Sequence, residues 1–92
     1  RLVGIVVSGP NPQQVHGVSR ELARSHDPQE GISVFGPAPA PLALLRGRHR
    51  VRFLVKSTRN VPIQDYVADW LSRVKVPNAV RVSVDVDPYS FL

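Results

Sequence analysis

Arg46, Arg48, Arg50 and Arg52 recur at every second position, and Lys56 follows at the same parity. In an extended strand, alternate side chains leave one face about 6.6–7 Å apart. That spacing is close to the phosphate repeat of an extended single strand of nucleic acid. Arginine suits such a line because its planar fork donates two hydrogen bonds and stays charged. The chemistry on offer is anion binding, with Arg81 able to join from a later segment and Arg59 lying just beyond. Lys and Arg total 12 against 7 Asp and Glu, a formal charge of +5. This balance favours nucleic acid, an acidic peptide or a lipid surface as partner. A solvated face, or charges that keep a strand from aggregating, would leave the same pattern.

Other reactive groups are sparse. There is no Cys, which excludes a disulfide frame, a thiolate nucleophile and a zinc finger. His16, His26 and His49 are far apart and lack metal-ligand spacing, so they read as structural or surface residues. Asp85 and Asp87 lie two apart and are expected to neutralise arginines across a sheet. The run Val15 to Arg20, VHGVSR, is similar to the phosphate cradle of acylphosphatases. It falls one residue short of that spacing and lies inside a predicted helix. Trp70 sits in the middle of an apolar helical stripe and reads as core. Tyr89 and Phe91 are freer aromatics near the end of the chain.

The elements that must position these residues follow from hydrophobic period. Leu2 to Val7 is a nearly unbroken apolar run ended by Ser8-Gly9-Pro10, and predicts a buried strand. Asn11-Pro12-Gln13-Gln14 supplies a cap, a proline in the first turn and a glutamine for a capping box. A helix carrying Val15, Val18 and Leu22 follows, closed by Asp27-Pro28 and Gly31. Ile32 to Phe35 is a short strand. Gly36 to Pro41 is expected to leave the sheet as a stiff polyproline II spacer, with Leu42, Leu44 and Leu45 pinning it to the core or to neighbouring domains.

From Arg48 the alternation is plain, with Val51, Phe53 and Val55 facing one way and Arg48, Arg50, Arg52 and Lys56 the other. No aromatic accompanies the arginines on this strand, which speaks for phosphate contact over base stacking. Asn60 is expected to cap a second helix bearing Ile63, Tyr66, Val67, Trp70, Leu71 and Val74. Val80, Val82, Val84 and Val86 then alternate with polar residues as a last strand. The order strand, helix, strand, strand, helix, strand is the split βαβ pattern of a ferredoxin-like α+β fold: a four-stranded sheet with two helices on one face. At 92 residues it makes one domain. No run reaches the 18 apolar residues of a spanning helix, and the first apolar run is too short for a signal peptide. A soluble, intracellular protein without a membrane partner is expected. The first residue, Arg1 rather than Met, points to a piece of a longer chain.

Several of these segments occur together in one family. GPAPAPLALLRGRHRVRFLVKS, Gly36 to Ser57, and VRVSVDVDPYSFL at the end resemble the C-terminal domain of primosomal protein N′ (PriA), the bacterial replication-restart helicases. The resemblance covers the whole chain. It implies a ribosomal-protein-S10-like version of the ferredoxin-like fold, on a parent that is an ATP-dependent 3′-5′ DNA helicase with ATP, Mg and Zn bound by other domains. No G-x-x-x-x-G-K-[ST] loop and no Cys occur here, so ATP hydrolysis and zinc binding are not expected of residues 1–92 themselves.

The implied partners are single-stranded and forked DNA, single-stranded DNA-binding protein and other primosome proteins, in the bacterial cytoplasm at stalled forks. Arg46, Arg48, Arg50, Arg52, Lys56 and Arg59 are the expected DNA contacts. Arg59, Asn60 and Gln64, at the positive end of the second helix, are the expected contact for the acidic tail of single-stranded DNA-binding protein. An interaction module docking that tail or the helicase lobes, without direct DNA contact, is the alternative.

Overall fold

The computed structural model describes residues 1–87. Its elements run β1 (Leu2–Gly9), α1 (Pro12–Ser25), β2 (Ile32–Leu45), β3 (Arg48–Ser57), α2 (Ile63–Ser72) and β4 (Arg81–Val86). The strands form one antiparallel sheet in the order β2-β3-β1-β4, the ferredoxin-like arrangement that the element order predicts. No described helix is long and apolar enough to cross a membrane. Tyr89 and Phe91 lie outside the described residues.

The period-2 pattern decides which side of the sheet is covered. Val3, Ile5 and Val7 of β1 stand opposite Val55, Phe53 and Val51 of β3, and all six are buried. The helices add Val15, Val18 and Leu22 from α1 and Ile63, Val67 and Trp70 from α2 to the same core. Trp70 is fully buried. Its indole meets Phe53 edge-on at 5.6 Å between centroids, and Nε1 donates to the Leu22 carbonyl at 3.0 Å and to Ser25 Oγ at 3.2 Å. The indole therefore ties α2 to the last turn of α1 as well as filling the core, and its one polar atom is satisfied.

Helix α1 starts as its sequence dictates. The Asn11 side chain accepts from the backbone N–H groups of Gln13 at 2.9 Å and Gln14 at 3.3 Å, and Pro12 opens the first turn. Helix α2 starts differently: Asn60 does not cap it. The N-cap is Pro62, with no side-chain hydrogen bond, while Arg59 and Asn60 lie in the preceding turn. The cause is local. A residue before proline is pushed out of the helical region, so Val61 cannot serve as the first helical residue and the start moves past Pro62.

The proline segment also departs from expectation. Gly36 to Pro41 does not leave the sheet; β2 continues through it to Leu45, with register shifts between Phe35 and Ala38 and between Pro39 and Leu44. The reason lies in which N–H groups face outward. Ser57 N–H bonds to the Arg1 carbonyl, so odd residues of β3 face β1 and even ones face β2. Ala38 pairs with Arg52 on that inward rung, and Pro39 opposite Val51 turns its nitrogen to the free edge. A proline there deletes only a donor that pairing does not need. Leu42, Leu44 and Leu45 do not pin the segment to the core, being 57%, 61% and 41% exposed.

Candidate nucleic-acid interface

The cationic residues are delivered by a tight turn. Arg46 and Gly47 join β2 to β3 with φ of 52° and 75°, and Leu45 pairs with Arg48 across them. Two consecutive positive φ values mark the two-residue hairpin turn whose twist matches that of the flanking strands. Arg46 is exposed at the tip. Arg48, Arg50 and Arg52 follow on the face without helices, half-buried, and Lys56 is exposed further along. Register places Arg50 opposite Ser8 and Ser8 opposite Arg81, so Arg50 and Arg81 flank Ser8 on one row of this face.

Two of these arginines already hold the fold. Arg48 Nη2 donates to the Ser8 carbonyl at 3.0 Å and to Ser8 Oγ at 3.3 Å, and its Nε is buried without a partner. Arg50 Nη1 donates to the carbonyls of Pro41 at 2.8 Å and Leu42 at 3.2 Å, clamping the bulged stretch of β2. A guanidinium has five donors, so each keeps others for a ligand. The ion pairs of the described residues lie elsewhere, joining Arg1 to Asp87, Arg24 to Glu21, and Arg73 to Asp27 and Asp69. Arg46, Arg48, Arg50, Lys56, Arg59 and Arg81 have no carboxylate partner among them.

The six candidate residues do not form one unbroken line. Arg46, Arg48, Arg50 and Arg52 gather toward the hairpin end. Leu54 separates them from Lys56, and Arg59 lies past the end of β3 in the turn closed by Val61 N–H to the Thr58 carbonyl at 3.3 Å. The partner-contact set is also spread. Arg59, Asn60 and Gln64 are exposed before and at the start of α2, but Asn60 is not its cap. His16 lies in α1, His26 caps its end against the Trp70 ring, and His49 lies in β3.

One residue was missed. Phe35 stands opposite Leu54, which places its ring on the open face between the rows of Arg52 and Lys56, and it is 52% exposed. The alternation Ile32, Ser33, Val34, Phe35 carries this signal, with Ile32 and Val34 packed on the core and Phe35 turned outward. An exposed aromatic beside cationic side chains offers a flat apolar face on the open side of the sheet.

Asp87 takes an arginine partner, Arg1, which lies just before β1. Its carboxylate accepts from Leu2 N–H at 3.3 Å and from Arg1 Nε and Nη2 at 3.3 and 3.1 Å. The backbone N–H, then the Arg1 side chain, hold its pKa below the usual aspartate value. A carboxyl with a lowered folded-state pKa stabilises fully above the unfolded value near ~3.9, and the effect fades as pH falls through the folded pKa. Amide exchange at Leu2 and Asp87 is therefore expected to accelerate, relative to core amides, as pH falls below about 4 and through the lowered pKa of Asp87. Asp87→Asn should remove that pH dependence; an unaltered profile in the variant would count against the assignment.

The family model for the primosomal protein N C-terminal domain matches residues 1–89. The chain belongs to that family. Replication restart protein PriA of Rickettsia felis is 29% identical over 91 residues, which covers 99% of this chain and 14% of the relative. The corresponding proteins of Rickettsia conorii and Rickettsia typhi are 28% and 25% identical over the same lengths. This PriA C-terminal domain thus spans about one seventh of the curated relatives it matches, which are named for replication restart.

Proposed function

We propose that this domain binds single-stranded or branched DNA through its open sheet face and hairpin, as the C-terminal domain of a longer replication-restart helicase. The observation that carries this reading is the gathering of Arg46, Arg48, Arg50, Arg52 and Lys56 on the face and hairpin that also expose Phe35. Arg46, Arg48, Arg50 and Arg52 neutralise phosphates near the tip, Lys56 and Arg59 do so at the far end, and Phe35 stacks on a base between them. Such a face reads the backbone, so binding is independent of sequence. ATP, Mg and Zn belong to the remainder of the longer chain.

Fluorescence anisotropy of a labelled single-stranded oligonucleotide over a salt series tests this. With four to six phosphates neutralised, log K is expected to fall against log salt with a slope of about −3 to −4. Arg46→Glu/Lys56→Glu should flatten the slope by at least about 1.4, whereas Arg20→Glu/Arg24→Glu on α1 should weaken binding far less. Phe35→Ala should lose roughly 5- to 100-fold in affinity with the slope unchanged. Equal losses in both charge variants would reduce the face to general surface charge.

A second reading rests on Leu42, Leu44 and Leu45, whose exposure at the hairpin tip favours docking on the remainder of the chain or on a primosome partner. The acidic tail of single-stranded DNA-binding protein would then meet Arg59, Asn60 and Gln64. Arg59→Glu should abolish tail binding and spare most DNA affinity, while leucine-to-serine changes at the tip should loosen docking and leave DNA binding unaltered.

A further inference from the structure

The pairings of β1 set the open face out in rows. Ser8 lies between Arg50 and Arg81, Val6 between Arg52 and Ser83, and Gly4 between Leu54 and Asp85. Charge is unevenly placed on them. The hairpin end carries Arg48, Arg50 and Arg81, whereas the other end of β4 carries Asp85, followed by Asp87, which pairs with Arg1. Arg48 and Arg50 leave β3 in different directions. Arg50 Nη1 turns to the Pro41 and Leu42 carbonyls of β2, while Arg48 Nη2 reaches back to the Ser8 carbonyl at 3.0 Å. That carbonyl faces β4, because Asp87 N–H bonds to the Leu2 carbonyl and the even residues of β1 share this direction. The Arg48 guanidinium is therefore held at the boundary of β1 and β4, on the side of Arg81. Two cations set together repel unless an anion lies between them. Ser8, 8% exposed, adds a hydroxyl at this point: its Oγ accepts from Arg48 Nη2 at 3.3 Å, so its own proton can go to a ligand oxygen.

We infer that Arg48, Arg81 and the Ser8 hydroxyl seat one phosphate of a DNA strand, and that the strand enters the open face there and crosses β1 toward Phe35 and Lys56. This rests on the DNA-binding reading above and gives it a starting point and a course. Arg48 is already fixed by the Ser8 carbonyl, so a phosphate meets its charge without the entropic cost of ordering a long side chain. A straight course along β4 is opposed by Asp85, which stands four residues from Arg81 on the same face, about 13 Å away. Phosphate and carboxylate repel, and the strand is turned toward β3.

The salt series with the labelled single-stranded oligonucleotide tests this with further variants. Arg81→Ala removes one phosphate contact, and is expected to flatten the slope by about 0.7 and to lose roughly ten-fold in affinity. Arg81→Lys keeps the charge and should keep the slope. Both should melt as the unmodified chain does, because Arg81 is exposed. Asp85→Lys should steepen the slope no more than Asp65→Lys, an equal charge change on α2. An unaltered slope in Arg81→Ala, with that of Arg46→Glu/Lys56→Glu still flattened, would overturn the seat and leave the DNA-binding reading standing. Extra steepening in Asp85→Lys would overturn the course, because the strand would then follow β4. Slopes that change no more in Arg81→Ala and Arg46→Glu/Lys56→Glu than in Arg20→Glu/Arg24→Glu would overturn both the inference and the reading beneath it.

Discussion

Replacing Trp70 with alanine is expected to destabilise the chain by about 3–5 kcal/mol, the range for truncating a large buried aromatic. At roughly 0.05–0.15 kcal/mol per residue, a chain of this length has about 5–14 kcal/mol in total, so the variant stands near the threshold of folding. Three contributions are lost together. The fully buried ring leaves a cavity between α2 and the sheet, the edge-on contact with Phe53 disappears, and the Leu22 carbonyl and Ser25 Oγ lose their donor. Trp70→Phe separates these effects, because it keeps a ring and removes the N–H. Its expected cost from the lost donor is about 1–3 kcal/mol. Urea unfolding followed by far-ultraviolet circular dichroism measures both, since the variants lack the chain's single tryptophan as a fluorescent reporter. A midpoint for Trp70→Ala no lower than that of an exposed substitution would refute the place given to this residue.

The second large effect is expected at Gly36. Its φ of +113° lies where L side chains rarely settle, and a Cβ there would fall 2.7 Å from the Arg52 carbonyl oxygen and 3.2 Å from Phe53 Cα. Both neighbours are backbone of the adjacent strand, so no side chain can rotate away. Gly36→Ala is expected to cost at least about 1–3 kcal/mol from backbone conformation alone, with the steric contact adding to it. The loss should be concentrated in the β2–β3 ladder. Amide exchange should show Arg52 and Leu54, which pair with β2, losing protection while β1 and β4 keep theirs. Gly17, with open space about its Cα, is the control: Gly17→Ala should be neutral or slightly stabilising. Equal behaviour of the two alanine variants would contradict the close approach at Gly36.

Much of this fold can be read from residue periods, and the exceptions share a cause. Val3, Ile5 and Val7, the alternation of Val51, Phe53 and Val55, and the stripe through Ile63, Val67 and Trp70 each report burial directly, because burial selects residue type position by position. The extension of β2 was hidden because proline is read as a sheet breaker. Whether it breaks a strand depends on which way the missing N–H would have faced, and that follows only from knowing that β2 is an edge. The start of α2 was misplaced by weighing Asn60 as a cap without the constraint Pro62 puts on Val61.

At the candidate interface, the parity of Arg48, Arg50, Arg52 and Lys56 was legible. The engagement of Arg48 and Arg50 with Ser8, Pro41 and Leu42 was not, since backbone carbonyls accept without leaving a compositional trace. Phe35 was barely legible as an open-face aromatic because it ends a run of only four alternating residues, just before the proline segment.

The pairing of β1 with both β3 and β4 has a consequence for synthesis of the chain. Residues 32–57 can form their hairpin from sequence-local contacts alone, but β1 waits far longer for its second neighbour, because Val3 pairs with Val86 and Gly4 with Asp85. Contacts of such separation form late, after the entropy of closing most of the chain has been overcome. Until the last strand leaves the ribosome, the nascent domain presents β1 as a bare apolar edge, the kind of surface that chaperones shield.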